Sequence, residues 1–126
     1  MTVVDLEAGL EHLSRGTARH VDTLLLIAEP YFKSLEAAQR SFALAKDLGI
    51  GRISMVANKV RSPRDEATVR EFAERHAVAV AGVVPFDPAV VKADERGTAV
   101  MDREPDATSV AAIRRLADDL LTTTQA

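Results

Sequence analysis

Three short, almost unbroken apolar runs set what this chain can fold into. Residues 21–28 read Val-Asp-Thr-Leu-Leu-Leu-Ile-Ala, residues 52–57 Arg-Ile-Ser-Met-Val-Ala, and residues 78–84 Val-Ala-Val-Ala-Gly-Val-Val. A strand with one wet face alternates polar and apolar residues, whereas parallel strands covered on both faces do not. Helical spacing fills the gaps. Leu35, Ala38, Phe42, Ala45 and Leu48 recur every three or four residues, behind Ser34 as the expected N-cap and ahead of Gly49 as a terminator. Ser62-Pro63-Arg64-Asp65 supplies a cap, a proline at the first helical position and an acid in the first turn, and Val69, Phe72 and Ala73 give that helix its buried face. Asp87-Pro88 opens a shorter helix ending near Gly97. A last helix is expected from Thr108 to Leu121, with Val110, Ile113, Leu116 or Ala117, and Leu120 on one side. Strands alternating with helices predict an α/β fold, a three-layer parallel sheet built from right-handed crossovers. The N-terminal piece permits two readings: a strand through Val3-Val4 ending at Asp5, or a helix from Asp5 to Ser14 along Leu6, Leu10 and Leu13.

The 126 residues suit a single domain, 1–126. Without cysteine, disulfides, thiolate metal sites and cysteine nucleophiles are all excluded. The net charge of -3 is spread along the chain, and Lys59, Arg61 and Arg64 form only a small basic cluster. With few aromatics besides, a nucleic-acid partner and a base-stacking platform are not expected. No apolar run approaches the roughly 18 residues of a membrane span, and residues 1–5 carry no basic, signal-like start, so a cytoplasmic setting is expected. His12, His20 and His76 lack mutual metal-ligand spacing, and Ser14 near His12 makes no catalytic triad.

The segment Val3-Val4-Asp5-Leu6-Glu7-Ala8-Gly9 resembles the Walker B and switch II segment of MinD-type P-loop ATPases. Its continuation through Glu11, His12, Arg15 and Gly16 is similar to the carbon monoxide dehydrogenase accessory, nickel-insertion group of that family. Ile27-Ala28-Glu29-Pro30 with Ser34-Leu35 looks like the family's strand, proline loop and helix. Ala57-Asn58-Lys59-Val60 resembles its adenine-recognition strand end, Val84-Pro85-Phe86-Asp87 the loop around the base, and Gly97-Thr98-Ala99-Val100 a later turn.

The resemblance implies ATP or ADP with Mg²⁺ as cofactors. Asp5 would hold Mg²⁺ through a water, and the Gly9 backbone would approach the γ-phosphate. Asn58, Lys59, Pro85 and Phe86 would surround the base, with the Asn58 amide both donating to and accepting from the adenine edge. Glu7 and Glu11 would lie on the switch or dimer face. The residues themselves leave plainer alternatives open. Asp5 serves equally as a helix cap, Asn58 as a strand-end turn residue, Pro85 and Pro88 as turn and helix-start residues, and Gly9 and Gly16 as loop glycines.

One departure outweighs these matches. No lysine follows a glycine, and no Gly-x-x-x-x-Gly-Lys-Ser/Thr occurs. The family's upstream Cys-x-Cys is also missing. The resemblance therefore implies the C-terminal half of such an ATPase, a partial P-loop NTPase fold without the P-loop strand, with no catalytic residue assigned and no hydrolysis expected of the chain alone. In the family that strand separates the Walker B strand from the equivalent of residues 21–28. Without it, 21–28 becomes an apolar sheet edge, a template for pairing. A homo-oligomer through this edge is expected, with an N-terminal ATPase half or a client metalloenzyme as further partners. The alternative is a non-enzymatic interaction or dimerisation module that uses this edge and the charged helix from Arg64 to Arg75. A receiver-like domain is not expected, because the strand ends read Glu29-Pro30, Asn58-Lys59 and Pro85-Phe86 instead of carrying its acids.

Overall fold

A computed structural model describes residues 1–6, 10, 11 and 13–125. The elements run α1 (Arg15–Ala18), β1 (Leu24–Ala28), α2 (Phe32–Asp47), β2 (Ile53–Val60), α3 (Pro63–Arg75), β3 (Ala79–Pro85), α4 (Pro88–Glu95), α5 (Val100–Arg103) and α6 (Thr108–Gln125). The strands form one parallel sheet in the order β1-β2-β3. The α/β architecture expected from the three apolar runs is the one observed.

Right-handed crossovers put α2 and α3 on the same face of the sheet. Leu26, Ala28, Met55 and Ala57 meet Leu35, Ala38, Val69 and Phe72 there in the main core. α6 covers the other face over β3. A β-carbon at Gly82 would come within 3.4 Å of Leu116 Cδ1, so the bare backbone sets how closely this helix approaches. A second cluster buries Leu10 and Ala18 against Ala45 and Ile50, which docks the N-terminal segment on the end of α2. The Arg15 guanidinium adds a bond to the Asp47 carbonyl at 2.8 Å, satisfying a carbonyl that the helix end leaves free.

Helices α2, α3 and α4 end by one device. In α2, Gly49 has φ +84° and its N–H donates to Lys46 O, while Ile50 N–H donates to Ala45 O. In α4, Gly97 at φ +65° and Thr98 repeat the pattern on Asp94 and Ala93. In α3 the left-handed position is held by Ala77 at φ +55°, with Ala77 and Val78 bonded to Glu74 and Ala73.

Several boundaries differ from the sequence reading. The first strand begins at Leu24, because Val21 N–H still closes on Ala18 O at 3.0 Å as the chain leaves α1. The second strand continues past Ala57 to Val60. Ser34 does not cap α2. Tyr31 occupies that position without a side-chain bond, and Ser34 Oγ instead accepts the Glu29 N–H at 2.8 Å. Residues 1–6 are neither strand nor helix, and the short helix lies later, at Arg15–Ala18, capped by Ser14. Ser62 and Asp87 cap α3 and α4 as their Ser-Pro and Asp-Pro pairs indicated.

Candidate functional site

The chemistry-bearing residues gather at the carboxyl ends of the parallel strands, where open α/β sheets bind ligands. Glu29 follows β1, Asn58 and Lys59 close β2, and Pro85-Phe86-Asp87 leave β3. Asn58, Lys59, Pro85 and Phe86 thus lie on two adjacent, hydrogen-bonded strand ends.

The end of β2 is irregular. Ala57 pairs with Val83 and Val60 with Pro85, so β2 carries one extra residue between these pairs. Lys59 takes up the difference at φ +56°, a left-handed conformation that a β-carbon disfavours. The ladder then resumes as Phe86 N–H donates to Val60 O at 2.9 Å. Strain of this kind concentrates where a side chain must be aimed. The neighbouring Asn58 is half-buried, and among the described residues its amide has no hydrogen-bond partner. Lys59 Nζ lies 3.5 Å from Glu29 Oε1, a partly exposed pair of small energetic weight.

Beside the bulge, the Arg61 guanidinium sits 4.1 Å from the centre of the Phe86 ring. Asp87, next along, is a structural anchor. Its Oδ1 accepts the Ala89 N–H at 2.9 Å, capping α4. Its Oδ2 accepts the Ser109 N–H and hydroxyl and, at 3.3 Å, the Thr108 hydroxyl, all from the start of α6. The Ser109 N–H, then the Ser109 hydroxyl, then the Ala89 N–H hold this carboxyl below its usual range, against a smaller opposing effect of burial.

The remaining predicted positions lie apart from this cluster or outside the description. Gly9, with Glu7, Ala8 and His12, falls outside the described residues. Asp5 is exposed in a segment without regular structure, and among the described residues no group of three acids or histidines is arranged to hold a metal ion. Mg²⁺ commonly keeps several waters and takes one or two carboxylates beside substrate phosphates, so a single aspartate such as Asp5 would be a sufficient protein contribution to such a site. The Asn58 amide, with a donor and an acceptor on one plane, does match a base edge. Sequence reasoning assigned no role to Arg61, Glu29 or Ser109. Their parts depend on contacts between strand ends and helices that no local motif encodes. A shallow groove of about 360 Å³ lies elsewhere, at the amino ends of β1 and β2 below Leu116 and Asp119.

Residues 3–100 match the model of the CobQ/CobB/MinD/ParA nucleotide binding domain. The chain belongs to this family. Within it, the chain is 40% identical over 103 residues to the carbon monoxide dehydrogenase accessory protein CooC of Rhodospirillum rubrum, covering 82% of this chain and 38% of that protein. It is 39% identical over 97 residues to an uncharacterized ATP-binding protein of Methanocaldococcus jannaschii, covering 77% and 38%. The chain thus spans well under half the length of these curated relatives. The MinD cell division protein of Aquifex aeolicus superposes with a TM-score of 0.71 at 18% identity, covering 90% of this chain and 50% of that one. A ParA family ATPase from Chlorobium tepidum gives 0.69 at 23%, covering 84% and 44%. These structures show that the MinD/ParA fold is shared. Among the described residues no helix is long and apolar enough to cross a membrane.

Proposed function

We propose that this chain supplies the base-recognition side of an adenine-nucleotide site in a MinD/ParA-type ATPase that serves metalloenzyme maturation, as the name of its CooC relative suggests. The observation that carries this reading is the half-buried Asn58 amide, without a hydrogen-bond partner among the described residues and next to a strained bulge at the carboxyl end of β2. A purine edge offers that amide one acceptor and one donor. Lys59, Pro85 and Phe86 form the surrounding wall. Asp5 as the Mg²⁺-water ligand and Gly9 as the γ-phosphate neighbour belong to the same proposal. These residues contain no phosphate loop, so binding without hydrolysis is what the isolated polypeptide should do. Calorimetric titration with Mg-ADP tests it. Heat with the native protein and a marked loss in Asn58→Ala supports the reading, and no heat with either protein removes it.

A second reading rests on the sheet edge. β1 lies at the end of the β1-β2-β3 order, and Ile27 on it is 58% exposed. An exposed apolar edge pairs readily with another strand, which favours a homodimer through β1, or a docking surface for a client metalloenzyme or an ATPase half. Light scattering across a concentration series tests the dimer. A monomer mass at high concentration rejects it, and a dimer that Ile27→Lys dissociates supports it.

A further inference from the structure

Arg61 has directed its charge at a ring instead of an acid. Its guanidinium lies 4.1 Å from the Phe86 centroid, and among the described residues no carboxylate stands within ion-pair distance of it. An acid is at hand, since Asp65 is on the same turn. The Asp65 carboxylate, however, accepts the Arg61 backbone N–H at 2.9 Å, while the Asp65 N–H donates to Ser62 Oγ at 3.1 Å. These bonds fix the backbone that carries Arg61. The other partner is fixed as well, by the Phe86 N–H on Val60 O. Guanidinium and ring are therefore held together by two cross-linked strand ends.

A guanidinium is planar and has two faces. The half-buried Phe86 backs one, and Arg61 itself is exposed to solvent. Such planes stack on nucleobases much as they stack on aromatic rings. The chain has too few aromatics for a platform along a nucleic acid, but a single base needs only one surface. We propose that Arg61 is the base-stacking residue of this site: its guanidinium, backed by Phe86, packs on the face of the purine whose edge Asn58 reads. This rests on the nucleotide reading above. It adds a specificity determinant, since the stack selects for a base and not for a sugar or phosphate.

A charge-only role for Arg61 would survive replacement by lysine, whereas stacking would not, because an ammonium has no plane. The test is a two-dimensional NMR titration of the whole chain with adenosine, ADP and ribose 5-phosphate, following the Arg61 Nε–H signal. Adenosine and ADP should shift that signal upfield through the purine ring current, and ribose 5-phosphate should leave it in place. Arg61→Lys should weaken adenosine binding roughly 5- to 150-fold, the range that a lost base stack spans. Phe86→Leu should act in the same direction, and Phe86→Tyr should retain binding. Arg61 is exposed, so Arg61→Lys remains informative if a Phe86 variant folds poorly. Native-like affinity in Arg61→Lys, or a shift reproduced by ribose 5-phosphate, overturns the stacking role and leaves the nucleotide reading intact. Absence of binding by adenosine and ADP to the native chain overturns both.

Discussion

Asp87 Oδ2 accepts the backbone N–H of Ser109 at 3.0 Å and its hydroxyl at 2.7 Å, across 22 residues of sequence. The other oxygen of the same carboxylate caps α4 through Ala89. One side chain thus serves the amino ends of two helices, one local and one distant. Charge-assisted bonds to helix N-termini are among the stronger hydrogen bonds in proteins.

Replacing this carboxylate should cost more than losing a single cap. Asp87→Ala is expected to destabilise the fold by about 1–3 kcal/mol, because one cap alone is worth about 0.5–2 kcal/mol. Asp87→Asn, which keeps one acceptor oxygen, should cost less. Urea unfolding midpoints at neutral pH check both values. Ser109→Ala should lose part of the Asp87→Ala effect, and the double variant should fall short of the sum.

The same carboxyl makes stability depend on pH. Its folded value lies below the ordinary 3.8, so the unfolded chain binds the proton more tightly. The stabilisation is therefore fully present above 3.8 and is lost as pH falls through the lower folded value. Melting temperature followed from about pH 6 to about pH 2, across the carboxylate range, should fall more steeply for the native chain than for Asp87→Asn. Parallel curves would reject the assignment.

Ala77 should be improvable. It occupies the left-handed position that Gly49 and Gly97 fill at the other helix ends. That conformation costs an L-residue about 1–2 kcal/mol, whereas glycine adds unfolded-state entropy worth about 0.4–1 kcal/mol. Ala77→Gly is expected to stabilise by about 0.5–1 kcal/mol, and Gly49→Ala to destabilise by a similar amount. Paired thermal melts would show the opposite signs.

Leu10 should behave as a core residue although it precedes every described helix and strand. It is 4% exposed, packed with Ala18, Ala45 and Ile50. Leu10→Ala is expected to cost about 2–3 kcal/mol, measured by denaturant unfolding. A loss under roughly 0.5 kcal/mol, typical of a surface site, would mean that the segment contributes little to stability.

Much of the fold was legible because its signals are local. Leu24–Ala28 and the two later strands are apolar on both faces, and Ser62-Pro63, Asp87-Pro88 and Gly49 punctuate the helices by their own backbone preferences. What was missed depends on the path of the chain. Ser34 looked like a cap, but its hydroxyl answers the N–H of Glu29 arriving from β1. Ala77 carries no compositional mark of its left-handed turn. In the site, family resemblance picked out Asn58, Lys59, Pro85 and Phe86, and the fold sets them at neighbouring strand ends. The bulge, the Arg61 contact with Phe86 and the Ser109 bond to Asp87 require knowing which strand pairs with which, and in what register.

The additional residue near Lys59 also works as an offset in a counting rule. Along a regular strand, sidedness is decided by odd and even positions. Between the Ala57–Val83 and Val60–Pro85 pairs β2 takes three steps where β3 takes two, and Lys59 absorbs the surplus. Were those three steps taken as plain extended strand, Val60 and Arg61 would exchange sides, and the cation would leave the ring with neither partner altered. What holds Arg61 opposite Phe86 is thus parity, kept by the turn at Lys59.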